Sequence, residues 1–156
     1  MKLSTGLLAG AAAGAAGTTA LNAATYLDMV WRGRPASSTP EDTVEKLADQ
    51  AHLTIPGDDD TRPNRVSGLG ALTGIVAGVG AGALLGAARA AGWRPGFGQA
   101  TAVAGTAALL AGNGPMTVLG VTDPRSWSAA DWISDIVPHL AYGTVAAGVL
   151  RRLTSH

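Results

Sequence analysis

Cysteine is absent from the 156 residues. That excludes a disulfide framework, a thiolate metal site and a cysteine nucleophile. Charge is scarce: only 14% of the residues are Asp, Glu, Lys or Arg, against about 25% in soluble domains. Acids and bases balance at eleven each, so the chain lacks the basic excess of a general nucleic-acid binder. Familiar catalytic signatures are missing too. There is no nucleophile elbow, Walker loop or HExxH, and Gly96-Phe97-Gly98 is too short for a phosphate loop and has no βαβ pattern around it. The sequence therefore points to no enzyme, and it calls for no cofactor and no metal.

What the chain has in quantity is alanine and glycine, in long uncharged stretches. No charge falls between Lys2 and Asp28, between Arg65 and Arg89, between Arg94 and Asp123, or between Asp135 and Arg151. A helix needs about 20 mostly apolar residues to cross a bilayer. The first three gaps are long enough, and the fourth qualifies with a turn of interfacial residues at its start. The expected architecture is all-α: an integral-membrane four-helix bundle forming one domain over 1–156. Its spans lie near 3–30, 67–91, 97–121 and 130–151. A soluble glycine-rich protein is the rival reading, but soluble helices of this length carry a polar face. The start, MKLSTGLLAG, resembles a signal peptide. Its apolar run, however, continues to Trp31 and stops at Arg32-Gly33-Arg34-Pro35, as a span does. Trp31, Trp93, Trp127 and Trp132 fall where these spans meet the headgroups.

Small residues recur every fourth place. The second span has Gly70, Gly74, Gly78, Gly82 and Gly86, a ridge about 24 Å long at 1.5 Å per residue. The first span has Gly6, Gly10 and Gly14, continuing through Thr18 and Asn22. The third has Ala100, Ala104, Ala108 and Gly112; the fourth has Asp131, Asp135, His139, Gly143 and Ala147. In lipid, apolar burial gives no drive for helix association, whereas close backbone approach does. The ridges thus predict tight GxxxG-type packing inside the bundle, with homodimerisation through an exposed ridge as a compatible alternative.

Residues 31–66 form the one long loop. Thr39 as N-cap, Pro40 at the first helical position and Asp42 closing a capping box predict a helix near 40–52. Val44, Leu47, Ala48, Ala51 and Ile55 make its apolar stripe, suited to a membrane surface or the bundle mouth. Pro56-Gly57-Asp58-Asp59-Asp60 reads as a solvated turn without calcium-loop spacing. Ser126 and Ser128 read as caps of the fourth span.

With four spans, both termini share one side with the loop 90–96. That side carries Lys2, Arg89, Arg94, Arg151 and Arg152 and no acid. The other side carries six bases and all eleven acids. An end that is basic without offset leans the termini to the cytoplasm. Arginine outnumbers lysine nine to two, a bias that points to a GC-rich bacterial genome.

Two features invite a site. Gly112-Asn113-Gly114-Pro115 should kink or break the third span, because proline removes a donor and clashes one turn back; broken helices can line a site. Asp131, Asp135 and His139 recur at i+4, with Tyr142 nearby. Intramembrane ionisable groups are costly and functional by default. The readings are a hydrogen-bonded network joining His139 to Thr18, Asn22 or Tyr26 of the first span, a proton or solute path, and a metal on Asp135 and His139. His139 is expected to face the polar ridge of the first span. AGTTAL at 16–21 and AGTAAL at 104–109 hint at a parallel internal repeat.

The order of features resembles a known family. AGTTALNAATYLDM, RGRP, TPEDTVEKLA, a glycine-rich span, LGVTDP and PHLAYG together look like the YagU-like inner-membrane proteins of bacteria and their short actinobacterial relatives. The most specific element is His139-Leu140-Ala141-Tyr142-Gly143. Family members often repeat a His–Tyr–Gly element in the earlier span; here Gly70, Thr73 and Gly74 occupy that frame. The resemblance implies a small multi-pass inner-membrane protein. Its partners would be the bilayer and a second copy or another membrane protein. Its role would be structural or accessory, with a channel or transporter for protons or small solutes as the alternative.

Overall fold

The computed structural model describes residues 1–155 and, among these, contains helices and no strand. Helix α1 spans Leu3–Arg32, α2 Thr39–Gln50, α3 Thr61–Ala90, α4 Phe97–Val118 and α5 Ala129–Leu153, with one 3₁₀ turn at Pro124–Ser126. Two of them, α3 and α5, are long and apolar enough to cross a membrane. Helices α1 and α4 fall below that measure: their Leu and Val are sparser than the Val, Leu and Ile that α3 gathers between Val66 and Leu85.

The four long helices run alternately up and down. Helix α1 packs along both α3 and α5, and α4 packs along α5. The α1–α3 seam is built from the glycine ridges. A Cβ on Gly6 would fall on the Gly86 carbonyl, one on Gly10 on the Gly82 carbonyl, and one on Gly14 on the Gly78 carbonyl. The regular descent of partners marks two antiparallel helices in backbone contact. The α4–α5 seam repeats the device: a Cβ on Gly143 would strike the Thr101 carbonyl, and one on Gly105 would sit 2.9 Å from the His139 carbonyl. The matching stretches AGTTAL and AGTAAL fall on α1 and α4, one in each of these antiparallel pairs.

The five ridge glycines of α3 have three different surroundings. Gly78, Gly82 and Gly86 meet α1; Gly70 lies under Pro40 and Glu41 of α2; Gly74 has nothing within 4 Å. Residues 71–76 of α3 are all exposed, so the acid-rich half of the bundle is more open than the arginine-rich half.

Several boundaries differ from expectation, each for a local reason. Helix α3 begins six residues before 67. Asp58 starts it, its Oδ1 accepting from the Thr61 amide at 2.8 Å and the Thr61 hydroxyl at 2.7 Å. These hydrogen bonds hold the Asp58 carboxyl below the usual carboxylate range. So the aspartate run is a helix start and not only a turn. Ser38, not Thr39, caps α2: the Asp42 amide donates to the Ser38 carbonyl, and the Ser38 hydroxyl to Asp42. Helix α2 is clasped to α3 by the two-pronged Arg62–Glu45 pair and by Ser67 donating to Glu41. Of its stripe, Val44 is buried, Ala48 and Ile55 are half-buried, and Leu47 and Ala51 are exposed. The expected break at Pro115 is absent: α4 continues to Val118, with Leu119 donating to the Pro115 carbonyl. Proline stands in the last turn: it forgoes the one bond its own amide would give the Ala111 carbonyl, and the turn beyond it still closes on Leu119.

A candidate polar site between two helices

A helix ridge commits its residues together. On α5, Asp135, His139 and Gly143 share the i+4 ridge. Gly143 is seated against Thr101 and Gly105, so the ridge faces α4 and carries the two ionisable groups with it. The polar partner there is Asn113, whose Nδ2 donates to Asp135 Oδ2 at 2.7 Å. His139 Nδ1 lies 2.7 Å from the Asp135 carbonyl and 3.5 Å from Asp135 Oδ1. With the carbonyl as acceptor, Nδ1 carries the proton. Both side chains are mostly covered, 14% exposed for His139 and 20% for Asp135.

This corrects the expected pairing with α1. Among the described residues, none of Thr18, Asn22 and Tyr26 hydrogen-bonds His139. Thr18 donates to the Gly14 carbonyl one turn back, at 2.9 Å, and fits against Gly78. Asn22 is half-buried and Tyr26 exposed. Asp131 also stands apart. Its carboxylate accepts from the amide and hydroxyl of Ser128, closing the capping box that starts α5. Among the described residues no three of His, Asp and Glu come together as a metal site.

Tyr142 lies one residue round the helix from the ridge and therefore faces the other way. It is fully buried, the largest side chain so enclosed. Its ring rests on Gly17, and its hydroxyl donates to the Gly78 carbonyl at 2.6 Å. One side chain thus ties α5 to both helices of the α1–α3 seam. Sequence reasoning placed Tyr142 beside His139 and overlooked Gly17, which lies outside the Gly6–Gly10–Gly14 register. Asn113 was read as part of a break; an amide amid apolar residues was itself the available signal of a polar contact.

At the acid-rich end, Arg32 and Arg34 bracket Asp28, and Arg32 also donates to Ser134, joining α1 to α5. Trp127 and Trp132 meet edge to face at 5.0 Å, and the Trp127 indole donates to Thr122.

The arrangement can hold a proton and orient a carboxylate. If the contact between α4 and α5 is formed, a double-mutant cycle of Asn113→Ala and Asp135→Ala will show a coupling of about 1 kcal/mol in unfolding. Strict additivity would mean that the contact is not made. The chain matches no family model, no curated protein and no solved structure.

Proposed function

We propose that the chain is a multi-pass membrane protein in which α1, α3, α4 and α5 cross the bilayer, and that its role is structural or accessory and not catalytic. One observation carries this reading: the packing is inside out. The buried core is mostly alanine and glycine around a single tyrosine, with Leu85 and Leu150 toward one end and Val66 toward the other, while most large apolar side chains point outward. Leu8, Val76 and Leu84 are each about 70% exposed. The apolar stretch of α3 is only 28% buried and that of α5 33%, the reverse of a soluble core helix. Lipid is the solvent in which such a surface is stable and such a core can associate. The tryptophans near both ends of the helices agree with headgroup contact.

The rest of the reading follows from the sequence: an inner membrane, termini toward the cytoplasm, and kinship with the YagU-like proteins through His139–Gly143. Gly74, open on α3, is where a second copy or a partner helix would approach. A path for protons or small solutes is the second reading, favoured by the half-buried Asn113–Asp135–His139 cluster. Against it, Tyr142 fills the centre of the bundle between that cluster and the arginine-rich end.

Carbonate extraction and liposome flux test both. The protein should stay with membranes at high pH. Reconstituted vesicles should pass protons no faster than empty ones. Release into the aqueous phase would end the membrane reading. Flux abolished by His139→Ala in a folded protein would replace the accessory role with the transport one.

A further inference from the structure

At the arginine-rich end, α3, α4, α5 and the loop before α4 line an open cavity of about 320 Å³. Arg89, Arg94 and Arg151 line it, over a floor that includes Leu85, Phe97 and Leu150. Among the described residues, three cations share this space without an anion. Residues 1–27, 61–122 and 136–156 contain no Asp or Glu, and among the described residues none of the three arginines has an ion-pair partner. Arg94 and Arg151 are near enough for their charges to bear on Arg89. Arg89 uses Nε on the Thr154 hydroxyl at 3.1 Å, and Arg94 donates to the Arg89 carbonyl, so hydroxyl and backbone hold two of the three guanidinium groups in place. An anion placed among the three would relieve their mutual repulsion.

The cavity does not end at the arginines. It adjoins an apolar groove between α3 and α4, lined by Ala88, Ala91 and Val103 and sharing Leu85 and Trp93 with it. A charged head and an apolar tail therefore have contiguous seats. Guanidinium groups suit phosphate, which they grip with paired N–H donors.

We propose that this cavity binds the phosphate headgroup of an anionic phospholipid, with an acyl chain lying along the α3–α4 groove. The inference rests on the membrane reading above. The arginines then serve as a lipid clamp at the end where the chain terminates, holding the ends of α3 and α5 to one leaflet.

The full-length protein in detergent, titrated with phosphatidylglycerol, phosphatidylcholine or inorganic phosphate, tests it by native mass spectrometry and thermal stability. Phosphatidylglycerol should bind at least tenfold more tightly than phosphatidylcholine, and inorganic phosphate at the same concentrations should bind negligibly. Arg89→Gln with Arg151→Gln should lose that preference. Arg65→Gln, at the opposite end, should keep it. Should the double variant fail to fold, Arg151→Gln alone, altering an exposed side chain, should still weaken phosphatidylglycerol at least threefold. Equal binding of the two lipids, retained preference in the arginine variants, or equal stabilisation by inorganic phosphate would overturn the proposal. A protein that is soluble without detergent and leaves membranes in carbonate would instead overturn the membrane reading, and this one with it.

Discussion

Replacing Gly82 with alanine should destabilise the protein by roughly 1–3 kcal/mol. The same replacement at Gly74, two turns away on one ridge, should leave stability unchanged or raise it by up to about 1 kcal/mol. Helix propensity alone favours alanine at both places. The difference is what the new methyl meets. At Gly82 it would fall on the Gly10 carbonyl and lie 2.5 Å from the Gly14 Cα and 2.6 Å from the Gly14 nitrogen. These are backbone atoms of a helix and cannot swing aside, so α1 must move off α3 along the whole seam. At Gly74 it would meet nothing within 4 Å. Reversible unfolding in mixed micelles measures both. Changes of the same sign and size would show that the seam is not in backbone contact.

Tyr142 is the second place where a large effect is expected. Tyr142→Ala should cost about 3–5 kcal/mol, the range for emptying a buried aromatic site. Tyr142→Phe should cost only about 1 kcal/mol, since it keeps the ring and loses the hydroxyl's bond to the Gly78 carbonyl. Gly17→Ala supplies an internal check. Its methyl would lie 2.7 Å from Cδ2 and 2.8 Å from Cε2 of the tyrosine ring. It should therefore destabilise the native protein but be tolerated when residue 142 is alanine, a clear failure of additivity. If Gly17→Ala costs the same in both backgrounds, the ring does not rest on Gly17.

These two sites mark how far the sequence could be read. The ridges at Gly6–Gly10–Gly14 and Gly78–Gly82–Gly86 were legible, because a run of residues without Cβ at i+4 has few uses but close approach. The helices themselves were legible from the uncharged gaps. What could not be read was rotation. Whether Asp135 and His139 face α1 or α4 depends on which glycine of α5 finds a partner. Gly143 looks no different in sequence from Gly148, which packs against little. The polar halves of α1 and α5 lie toward the same end of the molecule, and a shared end was mistaken for contact. Nor could the early start of α3 be read: three consecutive aspartates look alike, and only Asp58 reaches Thr61.

Tyr142 and its acceptor Gly78 stand 64 residues apart in the chain, and that separation has a consequence in time. A ribosome adding about 5–20 residues each second finishes α3 several seconds before it reaches the tyrosine. Through that interval the glycine seam has both its helices, but the face formed by Gly17 and Gly78 is bare. A bare face of small residues accepts any helix that comes near, including one from a neighbouring nascent chain. The last helix made is the one that closes it. A chain stalled between Ala91 and Tyr142 is therefore the form most exposed to wrong partners, and the speed at which α5 follows α3 becomes part of how the four long helices come together.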